Sequence, residues 1–185
     1  MLYISKGAVK ESFAFNSLII NIRGTEHHLR GERAALWIAG QFNVQEYAAR
    51  PAALNELVYL GLVETADESG PSGYYYLLSR CIIIPAKPKM FRRKLSRTEE
   101  YTWQWISKAG LRLTVAELIC LAQNRVEPRP EYLGSANRQT LVEAIYSTET
   151  ISDNILENLM EHSEKRDETV DAVFGLLRKK RIILI

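Results

Sequence analysis

The sequence is short of cysteine and histidine, with two and three in 185 residues. It also has no apolar run near the roughly 18 residues that cross a bilayer. Met1 to Lys10 shows no apolar core followed by a small-residue cleavage site, so no signal peptide is expected. Cys81 and Cys120 each sit inside an apolar run. Two cysteines so placed read as buried thiols in a reducing compartment, because a disulfide framework needs more of them in shorter loops. A cytoplasmic location and no membrane partner are the expectations.

Catalytic and metal signatures are missing as well. There is no Gly-rich phosphate loop, no GxSxG elbow and no HExxH. His27 and His28 are adjacent, and neighbours on a strand point to opposite faces, so they cannot share a metal. Glu157, Glu161 and Glu164 fall at helical spacing beside apolar residues, as on a solvated helix face. No catalytic residue, cofactor or metal is therefore assigned, no small-molecule ligand can be inferred, and an enzyme is not expected.

What is present is an ordinary globular balance, 46% hydrophobic and 25% charged. The net charge of +2 conceals a pattern. Residues 1–84 carry 7 basic and 8 acidic side chains, residues 85–98 carry 6 basic and none acidic, and residues 99–185 carry 11 basic and 14 acidic. The positive charge is concentrated in Lys87, Lys89, Arg92, Arg93, Lys94 and Arg97.

The N-terminal part reads as follows. Phe13 to Arg23 is aromatic and β-branched and predicts a strand, with a turn at Gly24-Thr25 and a short return strand over His27 to Leu29. Gly31 to Phe42 predicts a helix facing inward with Ala35, Leu36, Ile38, Ala39 and Phe42, broken at Asn43. Val44 to Arg50 has room for one or two helical turns. Pro51 fits the first position of a helix whose stripe is Leu54, Leu57, Val58 and Leu60, stopped by Gly61. Leu62 to Thr65, the Gly/Pro-rich loop to Gly73 and the run Tyr74 to Ile84 predict a β-hairpin.

Pro85 to Lys89 suits a linker rather than an element interior. Beyond it, Ser96-Arg97-Thr98-Glu99 and Thr114-Val115-Ala116-Glu117 are two capping boxes, each opening a helix. The first helix carries Trp103 and Trp105 and ends near Gly110; Leu111 to Leu113 reads as a short strand. Glu127 to Ala136 is a loop. Helices follow from Asn137, over Ser152 to Ser163 with Ile155, Leu156, Leu159 and Met160 inward, and over Asp167 to Lys180 with Val170, Val173, Phe174 and Leu177 inward. Ile182 to Ile185 reads as a last strand, placed to pair with Leu111 to Leu113.

Leu54 to Glu64 (LNELVYLGLVE), an apolar helix end, a glycine and an exit strand, resembles the third helix of the winged-helix variant of helix-turn-helix. Val170 to Leu184 looks like a diverged echo of it. The resemblance implies a mainly α (α+β) chain of tandem winged-helix-like domains with small β-hairpins: residues 1–84, a basic linker 85–95, and a helical, diverged unit 96–185. In the first unit Gly70 to Gly73 would be the wing tip. The second has a longer middle and no full wing.

Two functional readings follow. One is a nucleic-acid-associated protein, DNA-binding or regulator-like, in which Arg50 and Asn55 approach a groove and Lys87, Lys89, Arg92, Arg93, Lys94 and Arg97 hold phosphates. The segment reads equally as a solubilising linker. Glu56 and the neutral helix Pro51 to Leu60 count against base reading. The other is a protein-interaction adaptor or homodimer, in which Tyr74, Tyr75, Tyr76, Trp103 and Trp105 offer interface aromatics. The cations Arg178 to Arg181 sit at a helix C-terminus, where the dipole alone accounts for them.

Overall fold

The structure, a computed structural model, describes residues 1–13, 17–86, 93–134, 136, 138–146 and 155–185. It is a mixed α/β chain of eight helices and three small antiparallel sheets among those residues. It divides into two units, one of Met1–Cys81 with Ile183–Ile185 and one of Ile82–Ile182.

Unit 1 is built around two three-stranded sheets. β1 (Leu2–Ser5) is buried at every residue and lies between β5 (Gln45–Glu46) and β6 (Val63–Ala66), with Leu2 opposite Glu46 on one side and Ala66 on the other. β2 (Ala8–Phe13), β3 (Ser17–Ile22) and β4 (Thr25–Arg30) form a meander, irregular in register between Val9 and Glu11. Arg23 and Gly24 join β3 to β4 with φ of 52° and 89°. That pair of positive values is the type I′ turn whose twist suits a tight hairpin. Gly7, with φ 100°, turns β1 into β2, and a Cβ there would lie 2.7 Å from Ile20 Cγ2.

Helix α1 (Glu32–Gly40) packs on β1 through Ala34, Trp37 and Gly40. The inward face differs from the expected one: Ala35, Ile38 and Ala39 are exposed. The reason is close approach. Gly40 lets the helix sit on Tyr3 and Ser5, where a Cβ would come within 2.8 Å of the Tyr3 ring and 2.5 Å of Ser5 Oγ. The Trp37 indole N–H donates to the Lys6 carbonyl (3.0 Å), and the Ser5 hydroxyl donates to the Trp37 carbonyl (2.8 Å). Lys6 itself is 7% exposed and pairs with Glu64 at 2.6 Å.

Val44 to Arg50 holds no helical turn; β5 is there instead. α2 (Ala52–Tyr59) buries Ala53, Leu54 and Leu57 and ends in a Schellman motif on Gly61, with the Gly61 and Leu62 N–H groups donating to the Val58 and Leu57 carbonyls. The expected hairpin is then overturned. Tyr74 onward is not a strand: α3 (Pro71–Ser79) occupies the place of the wing, and a strand returns only at β7 (Ile83–Pro85). Pro71 starts the helix, where its missing N–H costs nothing. Tyr75, Leu78 and Cys81 on one line and Gly73 and Leu77 on the next are buried at three- and four-residue spacing. That helical burial outweighs the β preference of three consecutive tyrosines. The Cys81 thiol donates to the Leu77 carbonyl, and its burial pushes it up to about 12.

Unit 2 is helical. α4 (Arg97–Lys108) and α5 (Val115–Gln123) both open on complete capping boxes, at Ser96/Glu99 and Thr114/Glu117. α6 (Arg138–Ile145) buries Leu141 and Ile145, and α7 (Ile155–Glu161) buries Leu156 and Met160, whereas Ile155 and Leu159 face solvent. α8 (Arg166–Arg178) buries Val170, Val173, Phe174 and Leu177 as its periodicity requires, and packs on α4 and α5. Leu113 makes its bridge to Ile83, not to the last strand. That strand is β8 (Ile182–Leu184), and just before it the Arg181 carbonyl accepts from the Ala86 N–H (2.7 Å).

Candidate nucleic-acid interface

Unit 2 brings two basic segments together that are far apart in sequence. Arg93 and Lys94 precede the cap of α4; Arg178, Lys179 and Arg181 close α8. The Arg181 guanidinium donates to the Arg93 carbonyl (3.4 Å) and lies over the Trp103 ring at 5.5 Å. Lys94 on one side and Arg178 and Lys179 on the other line a cleft of about 530 Å³, together with Ser96, Glu99, Glu168 and Asp171, among others.

The chain makes this possible at the end of α8. The Lys180 and Arg181 N–H groups donate to the Leu177 and Leu176 carbonyls, a second Schellman motif, in which Lys180 takes the left-handed conformation (φ 57°) usually given to glycine. The reversal sends Arg181 back along α4. On the same side, a Cβ at Gly175 would run into the Glu99 carboxylate, so the glycine lets α8 pass close beneath it.

Glu99 fixes the electrostatics. Burial alone would raise its pKa, but Lys179 and the Ser96 N–H both bond the carboxylate and bring it below its ordinary value. Lys179 Nζ reaches Glu99 Oε1 at 2.6 Å, so that cation is already neutralised. Lys94 and Arg178 are exposed and in no ion pair among the described residues, with Asp171 as the nearby countercharge in the cleft lining. The surface can therefore accept anions through Arg93, Lys94, Arg178 and Arg181, while Lys179 holds the frame.

No family model matches the chain, and neither the curated proteins nor the solved structures contain a match to it.

Of the residues singled out from sequence, Arg93 and Lys94 lie on this surface. Lys87, Lys89 and Arg92 fall outside the described residues. Arg97 turns into a neighbouring cleft with Tyr101, Arg125 and Lys165. Arg50 and Asn55 belong to unit 1; both are exposed, and Asn55 borders a cleft with Arg33, Glu56 and Tyr59. Arg33 of α1 pairs with Glu56 of α2 at 3.0 Å, and α2 itself carries no Lys or Arg. Ala53 is buried with Leu54 and Leu57.

The aromatic set divides. Tyr75 and Trp105 are core residues, which removes them as interface candidates. Tyr76 is exposed with Arg80 4.2 Å above its ring, Tyr74 is half-buried, and Trp103 is half-buried beneath Arg181. Reasoning from sequence missed the part played by Arg178 to Arg181. Four consecutive cations were visible, but the helix dipole explained them locally and nothing in the pattern placed them beside Arg93. Among the described residues, no three His, Cys, Asp or Glu side chains group to hold a metal, and no helix is long and apolar enough to cross a membrane.

Proposed function

We propose that this is a non-enzymatic, nucleic-acid-associated protein that grips the phosphate backbone through the basic surface of unit 2. What supports the reading is that Lys94 and Arg178 line one cleft, while the residues beside them, Arg93 and Arg181, are joined by a hydrogen bond. Cations gathered from separate segments at a surface are what counterion release requires. The α1 and α2 helices of unit 1 are compatible with the helix-turn-helix part of the winged-helix resemblance. Since α3 stands where a wing would be, the proposal rests on charge rather than on winged-helix docking. Binding of this kind is indifferent to sequence.

The test is fluorescence anisotropy of a labelled random duplex at two salt concentrations, about 50 and 200 mM. Four phosphate contacts predict an affinity loss of about a hundredfold between them. The triple variant Arg93→Ala, Lys94→Ala, Arg178→Ala should flatten that dependence. Absence of binding at the lower salt overturns the proposal. A second reading, a protein adaptor, is favoured by one observation in unit 1: Tyr59 is 91% exposed, next in sequence to the exposed Leu60. A stable complex with a protein partner, lost in Tyr59→Ala and indifferent to DNA, would select it.

A further inference from the structure

The cleft that receives Arg97 has a different character. It measures about 410 Å³ and is bordered by Arg97 and Tyr101 of α4, Arg125 and Glu127 beyond α5, and Lys165 and Glu168 at the start of α8. That volume lies within the range that holds a small ligand. Glu168 is already engaged by Lys165 (2.8 Å) and the Thr98 hydroxyl (2.9 Å) and is held below its ordinary value by those two bonds. Arg97 and Arg125 form no ion pair among the described residues, which leaves two guanidinium groups facing one carboxylate, Glu127. The cleft also meets the first turn of α4, the positive end of a twelve-residue helix. Tyr101 gives it an aromatic wall, held in place by its hydroxyl bond to the Val126 carbonyl (2.7 Å) and by edge-on packing against Trp105.

Arg125 supplies an independent observation. It ends α5 in a Schellman motif, with the Arg125 and Val126 N–H groups donating to the Ala122 and Leu121 carbonyls, at φ 54°. The corresponding residue of the Schellman motif is Gly61 at the end of α2, at φ 69°, and Lys180 at the end of α8, at φ 57°. A side chain in this conformation is a standing cost that glycine avoids. The cost is met at the one residue of the turn whose guanidinium borders the cleft.

We propose that this cleft binds a phosphomonoester: Arg97 and Arg125 take the phosphate, and Tyr101 lies along the organic part. The ligand is either a free nucleoside monophosphate or the 5′-phosphate at the end of a nucleic-acid strand. This site adjoins the cleft of the backbone surface, with which it shares Thr98 and Glu168, but it uses none of the cations assigned there.

The experiment measures binding of adenosine 5′-monophosphate and of adenosine to the full chain by calorimetry at constant ionic strength, for wild type, Arg125→Gly and Arg97→Gln. The monophosphate binds at least tenfold more tightly than adenosine. Arg125→Gly loses that preference although its ligand-free Tm rises by about 2–4 °C, the shift expected when left-handed strain is removed from a chain of this size. Arg97→Gln weakens binding without the rise. Equal binding of both ligands, or an Arg125→Gly variant that keeps the preference, overturns the proposal. A 5′-phosphorylated single strand is then compared with its 5′-hydroxyl counterpart. Tighter binding of the phosphorylated strand, lost in Arg125→Gly, assigns the strand end as the source. Equal binding alongside a bound monophosphate assigns the free nucleotide. Neither result depends on the duplex affinity that tests the backbone surface.

Discussion

The two units solve the same problem, fixing polar groups inside a small core, with opposite means. Unit 1 uses backbone carbonyls and one buried ion pair: Trp37 to Lys6, Ser5 to Trp37, Lys6 to Glu64. Unit 2 uses capping boxes whose glutamates do a second task. Glu99 caps α4 and also takes Lys179 from α8; Glu117 caps α5 and also accepts from the Tyr146 hydroxyl (2.7 Å), which follows α6. Burial and that bond together push the Tyr146 phenol above its usual value. In unit 1 local structure is set by distant partners. In unit 2 local motifs come first and are then tied to distant partners.

The largest effect that separates the two schemes is loss of each unit's fully buried tryptophan. Trp37→Ala should cost about 5 kcal/mol and Trp105→Ala about 4, the excess reflecting the Lys6 carbonyl left without its donor. Urea denaturation measures both; equal costs would mean that the bond in unit 1 contributes nothing.

Next is Glu99→Gln, expected to cost about 2 kcal/mol at pH 7 because Lys179 then sits partly buried without its countercharge. An acid held below its ordinary pKa stabilises the fold fully above the unfolded-chain value, and that contribution vanishes as pH falls through the lowered native one. The stability gap between wild type and Glu99→Gln should therefore close on going from pH 7 to about 3. A gap that persists would show that the cap, not the charge, carries the effect.

The smallest and sharpest comparison uses the helix ends. Gly61→Ala in unit 1 meets open space and should cost about 1 kcal/mol for φ alone. Lys180→Gly in unit 2 should gain about as much. A Lys180→Gly variant that gains nothing, measured by urea denaturation, would show that the left-handed conformation carries no cost there.

Legibility in the sequence follows the same division. The capping boxes at Ser96 and Thr114 could be read because every participating group lies within four residues. The buried face of α8 could be read because one line of apolar side chains had a single helical solution. β1 could not: Leu2 to Ser5 is buried on both faces, shows no alternation, and pairs with Val63 to Ala66 far along the chain. α1 is apolar around most of its circumference, and the fit of Gly40 on Tyr3 and Ser5 chose its face. At the candidate surface, Arg93 and Lys94 stood out as charge, but their meeting with Arg178 and Arg181 depends on how α8 packs on α4. Arg125 and Lys165 gave no signal, since neither lies in a charge cluster that includes Arg97.

Unit 1 is not continuous: it takes in Ile183–Ile185, and the Gly7 N–H at its first turn donates to the Leu184 carbonyl (2.7 Å). A ribosome delivers residue 7 before unit 2 and residue 184 only after all of unit 2 has emerged. The unit that is started first must therefore be finished second, and until then the amide of Gly7 has only water to answer it.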